Sequence, residues 1–251
     1  MTIDLTGRGI RAVILDIEGT TTPMAFVAEV LFPFARAHLR EFLESPRHAE
    51  DMAEVVRRLS AEHAADLHAG AAPPRWAPSS QNDRDGLPAY VEWLMDRDRK
   101  SPGLKLLQGL IWQRGYQAGQ LRGQVYPDVP PAIRRWRAAG VMVAIYSSGS
   151  ELAQRRLFES TPAGDLTPLL SGFFDTSVGA KTSVESYARI AERLGQQSGA
   201  CVFISDVTME LTAAKAAGFE TALSLRPGNA IQPDAAGWRT IHTFDGIIVG
   251  P

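Results

Sequence analysis

The chain has 251 residues, 45% hydrophobic and 22% charged, with a formal net charge of -2; it can bury a sizeable core, and it has no basic excess to hold nucleic acid or an anionic membrane. The single cysteine, Cys201, lies in the apolar run Ala200-Cys201-Val202-Phe203-Ile204, which excludes an internal disulfide framework and predicts a buried strand thiol. No basic segment followed by an apolar stretch opens the sequence and no apolar run approaches the ~20 residues of a membrane helix, so a cytoplasmic protein with a small-molecule partner is expected.

The first predicted element is a strand from Arg11 to Ile17, whose Ala-Val-Ile-Leu run is continuously apolar, as in a strand buried on both faces. From Met24 to Gln124 the pattern changes to several amphipathic helices, interrupted by a Pro/Ser-rich segment from Ala69 to Pro88. It predicts a helical domain inserted after the first strand, standing over the carboxyl edge of the sheet as a lid. The charge run Asp96-Arg97-Asp98-Arg99-Lys100 is expected on solvated helix faces or turns.

Beyond the insert, helices are predicted from Pro131 to Ala139, Glu151 to Glu159, Ser183 to Leu194 and Met209 to Ala217, three of them closed by Gly140, Gly195 and Gly218. Strands are predicted from Val141 to Tyr146, around Phe173 to Val178, from Cys201 to Ile204 and from Thr221 to Leu225. Such alternation predicts an α/β fold: a parallel Rossmann-like sheet built from residues 1–23 and 125–251, with a helical cap at 24–124.

Four strand ends carry polar residues that a buried sheet would not otherwise place there. Asp16-Ile17-Glu18-Gly19-Thr20-Thr21-Thr22 sets two carboxylates at the end of an apolar strand, where each needs a cation, a metal or hydrogen-bond donors. Ser147-Ser148-Gly149-Ser150 lies between a strand and a helix, and hydroxyls with N–H groups at a helix N-terminus form a phosphate cradle. Lys181 sits between a predicted strand and helix, and Ser205-Asp206-Val207-Thr208-Met209-Glu210 ends another strand, with Asp206 and Glu210 at a spacing that shares one helical face and could bind a hard cation.

In this order the four motifs resemble those of the haloacid dehalogenase superfamily of aspartyl phosphatases, from which the chain departs in carrying Glu18 where that superfamily generally has aspartate. Leu15-Asp16-Ile17-Glu18-Gly19-Thr20-Thr21-Thr22-Pro23, Leu104-Lys105-Leu106-Leu107-Gln108-Gly109-Leu110-Ile111-Trp112, Tyr146-Ser147-Ser148-Gly149-Ser150, Phe174-Asp175-Thr176, Lys181 with Glu185-Ser186-Tyr187, and Arg226-Pro227-Gly228-Asn229 resemble the enolase-phosphatase family of methionine salvage. The likeness runs nearly end to end.

The resemblance implies Asp16 as nucleophile, with Glu18 and Lys181 also catalytic, and Ser147, Ser148 and Lys181 holding the phosphoryl group. One Mg²⁺ per subunit is implied on Asp16, Glu18 and Asp206, with Glu18 ligating through its main-chain carbonyl or its side chain. The implied substrate is 2,3-diketo-5-methylthiopentyl-1-phosphate, converted by enolisation and then hydrolysis, through a phosphoaspartate, to 1,2-dihydroxy-3-keto-5-methylthiopentene and phosphate. The group that takes the carbon-bound proton stays open, with Glu18 the first candidate. Lys105, Gln108 and Trp112 fall at i, i+3 and i+7 of a helix in the insert and are expected either to meet the substrate's thioether tail or, for Trp112, to fill the insert's core. A monomer is expected. The alternative is a phosphatase of the same superfamily without the enolase step.

Overall fold

In a computed structural model, residues 3–45, 49–77, 86–99 and 101–250 are described. Their elements in chain order are β1 (Ile3–Asp4), β2 (Ala12–Leu15), α1 (Met24–Phe26), a π-helical turn (Val27–Leu31), α2 (Phe32–Glu44), α3 (Ala49–His68), α4 (Leu87–Asp96) and α5 (Pro102–Gln117). There follow α6 (Val129–Ala138), β3 (Met142–Tyr146), α7 (Glu151–Glu159), β4 (Gly172–Phe174), α8 (Val184–Arg193), β5 (Cys201–Ser205), α9 (Thr208–Ala216), β6 (Glu220–Ser224), β7 (Thr240–Ile241) and β8 (Ile247–Ile248). The chain divides into two compact units, Met1–Glu29 with Leu121–Pro251, and Val30–Gln120.

The first unit holds a six-stranded parallel sheet in the order β4-β3-β2-β5-β6-β7, while β1 pairs separately with β8. Central β2 aligns Ala12 to Leu15 with Met142 to Ile145 on one side and with Cys201 to Ile204 on the other. Ala12, Ile14, Ala144, Tyr146 and Phe203 pack with Tyr187 and Ile190 of α8 and Leu211 and Ala214 of α9. Val13, Leu15, Val143 and Ile145 alternate to the opposite face and are also fully buried, which is why the strand sequences read as unbroken apolar runs. Each such aliphatic side chain contributes roughly 1.5–3 kcal/mol on burial. Cys201 is buried, and its burial pushes the thiol pKa up to about 11, so it stays protonated and inert at neutral pH.

Several predicted bounds shift for local reasons. The strand expected over Phe173 to Val178 ends at Phe174, because Asp175 Oδ1 accepts the Ser177 N–H at 2.8 Å and turns the chain. Helix α6 begins at Val129, ahead of the predicted Pro131, because Pro130 and Pro131 fit a first turn whose N–H groups have no intrahelical acceptor. Leu121 is buried, and Gly123 donates its N–H to the Ser160 carbonyl at 3.0 Å, which ties this end of the expected insert to the sheet unit.

The second unit contains α2 to α5. Leu59 of α3 lies 2.8 Å from where a Cβ on Gly103 would stand, so glycine permits α3 and α5 to approach closely. Ser101 Oγ accepts the Leu104 N–H at 3.1 Å and Glu62 accepts that of Gly103 at 2.7 Å, capping α5. The described part of the charge run is solvated as expected, Asp96 to Arg99 all being exposed at the end of α4 and in the turn after it, and Arg99 reaches back at 2.8 Å to buried Asp66, which also accepts the Tyr90 hydroxyl at 2.8 Å. Lys100 and residues 78–85 of the Pro/Ser-rich segment lie outside the described residues. No helix among the described residues is long and apolar enough to cross a membrane.

Candidate active site

The parallel register decides which polar residues meet. Leu15 aligns with Ile204, so Asp16, one step further, stands beside Ser205, and the Asp16 N–H continues the ladder to the Ile204 carbonyl at 3.0 Å. Asp206 then leaves β5 level with Ser224, the last residue of β6, and Ser147 leaves β3 on the other side of β2. All lie at the carboxyl edge, where the strand order reverses around β2 and open α/β sheets bind ligands.

Asp16 is 4% exposed. Its Oδ1 accepts its neighbour's Ile17 N–H at 2.8 Å and meets Lys181 Nζ at 2.7 Å. Its Oδ2 has a longer contact, 3.2 Å, to Ser205 Oγ, whose one proton is closer to Glu210 at 2.8 Å. Lys181 is buried and meets Glu210 as well, at 2.6 Å. The main chain at Lys181 is fixed by Tyr187, whose hydroxyl donates to the Lys181 carbonyl at 2.6 Å. Burial works against the Lys181 ammonium, yet Asp16 and Glu210 outweigh it and hold the lysine pKa above its ordinary value.

Glu210 does not share a helical face with Asp206, as the spacing suggested. Helix α9 begins at Thr208, so Asp206 precedes it, while Glu210 in its first turn faces Lys181 and Ser205. A carboxylate there is favoured by the helix dipole. Burial and the nearby Asp16 charge nevertheless raise the Glu210 pKa.

The loop after β2 is tightly bonded. The Ile17 carbonyl accepts N–H groups from Thr20, Thr21 and Thr22 at 3.2, 3.0 and 2.9 Å, and the Thr21 hydroxyl donates to the Asp16 carbonyl at 3.0 Å. Gly19 takes φ +67°, and its N–H donates to the Thr22 carbonyl at 2.9 Å. Because the peptide is planar and trans, this bond also fixes the direction of the Glu18 carbonyl, opposite the Gly19 N–H.

From the β6 side, Ser224 Oγ and Asn229 Nδ2 donate to the Gly19 carbonyl at 3.0 and 2.9 Å, and Arg226 Nε donates to the Thr20 carbonyl at 3.3 Å. Arg226 is buried, holds Asp128 through two bonds at 3.0 and 2.8 Å, and lies over the Tyr126 ring at 4.4 Å. Ser147 Oγ accepts the Gly149 N–H at 3.3 Å, and Gln154 Nε2 donates to the Gly149 and Phe174 carbonyls, both at 2.8 Å, steadying the serine loop. Ser148 is half-buried in the same loop.

The oxygen-rich edge fits a hard divalent cation. Asp16, Asp206 and Glu210 are three buried or nearly buried carboxylates, and the nearest formal cation, Lys181, is engaged by Asp16 and Glu210. Asp206, 7% exposed, is pushed up to about 7, first by burial and then by Asp16. Among the described residues no three His, Cys, Asp or Glu side chains gather as a ligand set, so the side chains of Asp16, Glu18 and Asp206 do not by themselves form one.

The Asp206 shift has a defined sign. Its folded pKa lies above the unfolded carboxylate value near 3.9, so the native state holds the extra proton between them, and this group's contribution to stability falls as pH rises from about 4 to about 7. In chelator, Asp206→Asn is therefore expected to be more stable than the parent at pH 8, by about 1–3 kcal/mol, with the gap closing toward pH 5. Urea unfolding at the two pH values measures it, and a gap independent of pH would remove this account of Asp206.

Of the remaining expected site residues, Gln108 and Trp112 are buried in α5 and Lys105 is half-buried. Trp112 Nε1 donates to the Leu31 carbonyl at 2.7 Å and its ring lies 6.2 Å from Phe32, which commits this side chain to the interior of its own unit. Arg226, Asn229, Glu210 and Ser205 also meet the site's loops and charges, contacts that the sequence motifs do not assign. The signal for Arg226 was a charge directly after a predicted buried strand.

Residues 10–218 match the family described as haloacid dehalogenase-like hydrolase. Enolase-phosphatase E1 of Synechococcus elongatus is 48% identical over 240 residues, covering 94% of this chain and 97% of that protein. A protein of Oryza sativa subsp. indica named probable bifunctional methylthioribulose-1-phosphate dehydratase/enolase-phosphatase E1 is 45% identical over 94% of this chain, which matches 46% of its length. Among solved structures, the UTR4 protein of Saccharomyces cerevisiae has a TM-score of 0.74 at 32% identity, covering 94% of this chain and 99% of that one.

Proposed function

We propose a function from one premise: the chain belongs to the haloacid dehalogenase-like hydrolases and, among them, to the enolase-phosphatases. It is an enzyme of methionine salvage that converts 2,3-diketo-5-methylthiopentyl-1-phosphate to 1,2-dihydroxy-3-keto-5-methylthiopentene and phosphate. The observation that carries the site assignment is the buried Asp16–Lys181–Glu210 cluster at the carboxyl edge, with contacts of 2.7 and 2.6 Å.

In this reading a proton first leaves C1, which lies between the phosphate ester and the C2 carbonyl, and the enol forms across C1 and C2. We assign that proton to the Glu18 carboxylate. Asp16 then attacks phosphorus, the bond from phosphorus to the C1 oxygen breaks, and the proton held by Glu18 passes to that oxygen. Water cleaves the resulting phosphoaspartate, returning the Asp16 carboxylate and releasing phosphate. Ser147 and Ser148 hold the phosphoryl oxygens through hydroxyl and N–H groups, and Lys181 offsets charge on them in the transition state. Mg²⁺, held by Asp16, Asp206 and the Glu18 carbonyl, supplies the positive charge that lets these carboxylates and a phosphate dianion share one site. Lys105 and Gln108 are assigned to the substrate as part of the same proposal, with the enzyme acting as a cytoplasmic monomer.

The test is to mix the protein with the diketo phosphate and Mg²⁺ and record enol absorbance and free phosphate together. Both should rise, and both should stop in excess chelator. Phosphate release from simple phosphate esters with no enol signal from the diketo phosphate would replace this reading with that of a general phosphatase.

Glu18→Asp separates acid-base work from metal binding, since it withdraws the carboxyl by one methylene and leaves the main-chain carbonyl in place. A retreat of about 1 Å is expected to cost roughly 100-fold in kcat, with Mg²⁺ affinity changed much less. Unchanged rates with weakened Mg²⁺ binding would make the Glu18 side chain a metal ligand instead.

A further inference from the structure

Asn229 lies in the loop after β6, outside the four strand-end motifs, and its orientation is settled by its partners. Its amide nitrogen faces two carbonyls, Gly19 at 2.9 Å and Ser224 at 3.1 Å, and only Nδ2 can donate to them. Oδ1 must then face the other way. It is buried there without a hydrogen-bond partner. A Cβ on Gly19 would stand 2.7 Å from this Oδ1 and 2.5 Å from Asp206 Oδ2, so the two oxygens close on the same α-carbon from the catalytic edge. Two acceptor oxygens brought this near each other in a buried place leave a position for a donor that would serve both.

We propose that Asn229 is a positioning residue of the cation site, its Nδ2 holding the Gly19 carbonyl while its Oδ1, beside Asp206, accepts a hydrogen bond from water carried by the ion. The inference rests on the assignment of Asp16, Asp206 and the Glu18 carbonyl as ligands. It gives one side chain two tasks on that set. Through Gly19 it steadies the turn that aims the Glu18 carbonyl, and through Oδ1 it orients the ion's hydration shell, the kind of outer contact whose loss typically weakens metal affinity 10–100-fold.

The test is calorimetric titration of Mg²⁺ into the full chain without substrate, so that it reads binding and not turnover. Asn229→Ala is expected to bind Mg²⁺ about 10–100-fold more weakly than the parent, while in chelator it stays folded with a melting temperature lowered by the loss of the two Nδ2 hydrogen bonds. Asn229→Leu, which keeps the branched shape without polar atoms, should behave alike and decides the matter if the alanine variant does not fold. Mg²⁺ affinity within twofold of the parent in a folded variant overturns the role of Asn229 and leaves the ligand assignment standing. Absence of Mg²⁺ binding by the parent overturns the ligand assignment itself, and the Asn229 role with it.

Discussion

Asp16→Asn is expected to abolish phosphate release, by at least on the order of 10⁴-fold, while the protein stays folded. An amide cannot form the acyl phosphate. The substitution is nearly isosteric, and the retained carbonyl oxygen can still accept the Ile17 N–H that Asp16 Oδ1 accepts at 2.8 Å. It also removes one of three carboxylates from a buried cluster with one lysine, so no large loss of stability should accompany the loss of turnover. Two measurements check it together: phosphate release, and the mass of protein quenched rapidly in acid during turnover. The parent should show a phosphorylated species that the variant lacks. Substantial turnover by a folded Asp16→Asn protein, free of parent enzyme, would take the nucleophile role away from Asp16.

The sheet was legible because a parallel strand buried on both faces has no polar position to spare. Ala12 to Leu15 and Cys201 to Ile204 therefore read as unbroken apolar runs, and the polar residue that ends each run marks the carboxyl edge. Asp16, Ser147 and Asp206 were found by that logic. The two-residue strands β1, β7 and β8 were not found, since a period of two cannot show itself in two residues. Glu210 was misread for a related reason. Its four-residue separation from Asp206 means a shared face only if both lie on the helix, and nothing local shows that α9 starts at Thr208. The tethering of Gly19 by Ser224 and Asn229 joins segments more than 200 positions apart, at sequence separations of 205 and 210. No periodicity or local propensity carries information over that distance.

Lys181→Met is expected to cost activity and stability through two separable effects. The loss of a preorganised cation beside the transferring phosphoryl group should lower kcat about 10²–10³-fold, the usual consequence of deleting one such donor. The stability effect comes from what is left behind. Asp16 and Glu210, now 2.7 and 2.6 Å from the ammonium, would keep their buried charges without it, and breaking a buried pair on one side typically costs about 3–5 kcal/mol. In the parent, the raised Lys181 pKa means that its contribution to stability is complete below the unfolded lysine value, near 10.4, and is lost only as pH rises through the higher folded value. The parent therefore keeps this contribution across the neutral range. In the variant Glu210, whose pKa burial and the Asp16 charge already raise, can relieve the repulsion by taking up a proton, so the stability gap between the two proteins should narrow as pH falls from 7.5 to 5.5. Urea unfolding in chelator at those two pH values, with kcat measured in saturating Mg²⁺, separates the effects. A variant within about 1 kcal/mol of the parent at both pH values would mean that Lys181 does not hold this cluster together, and one within tenfold in kcat would remove it from the phosphoryl-transfer step.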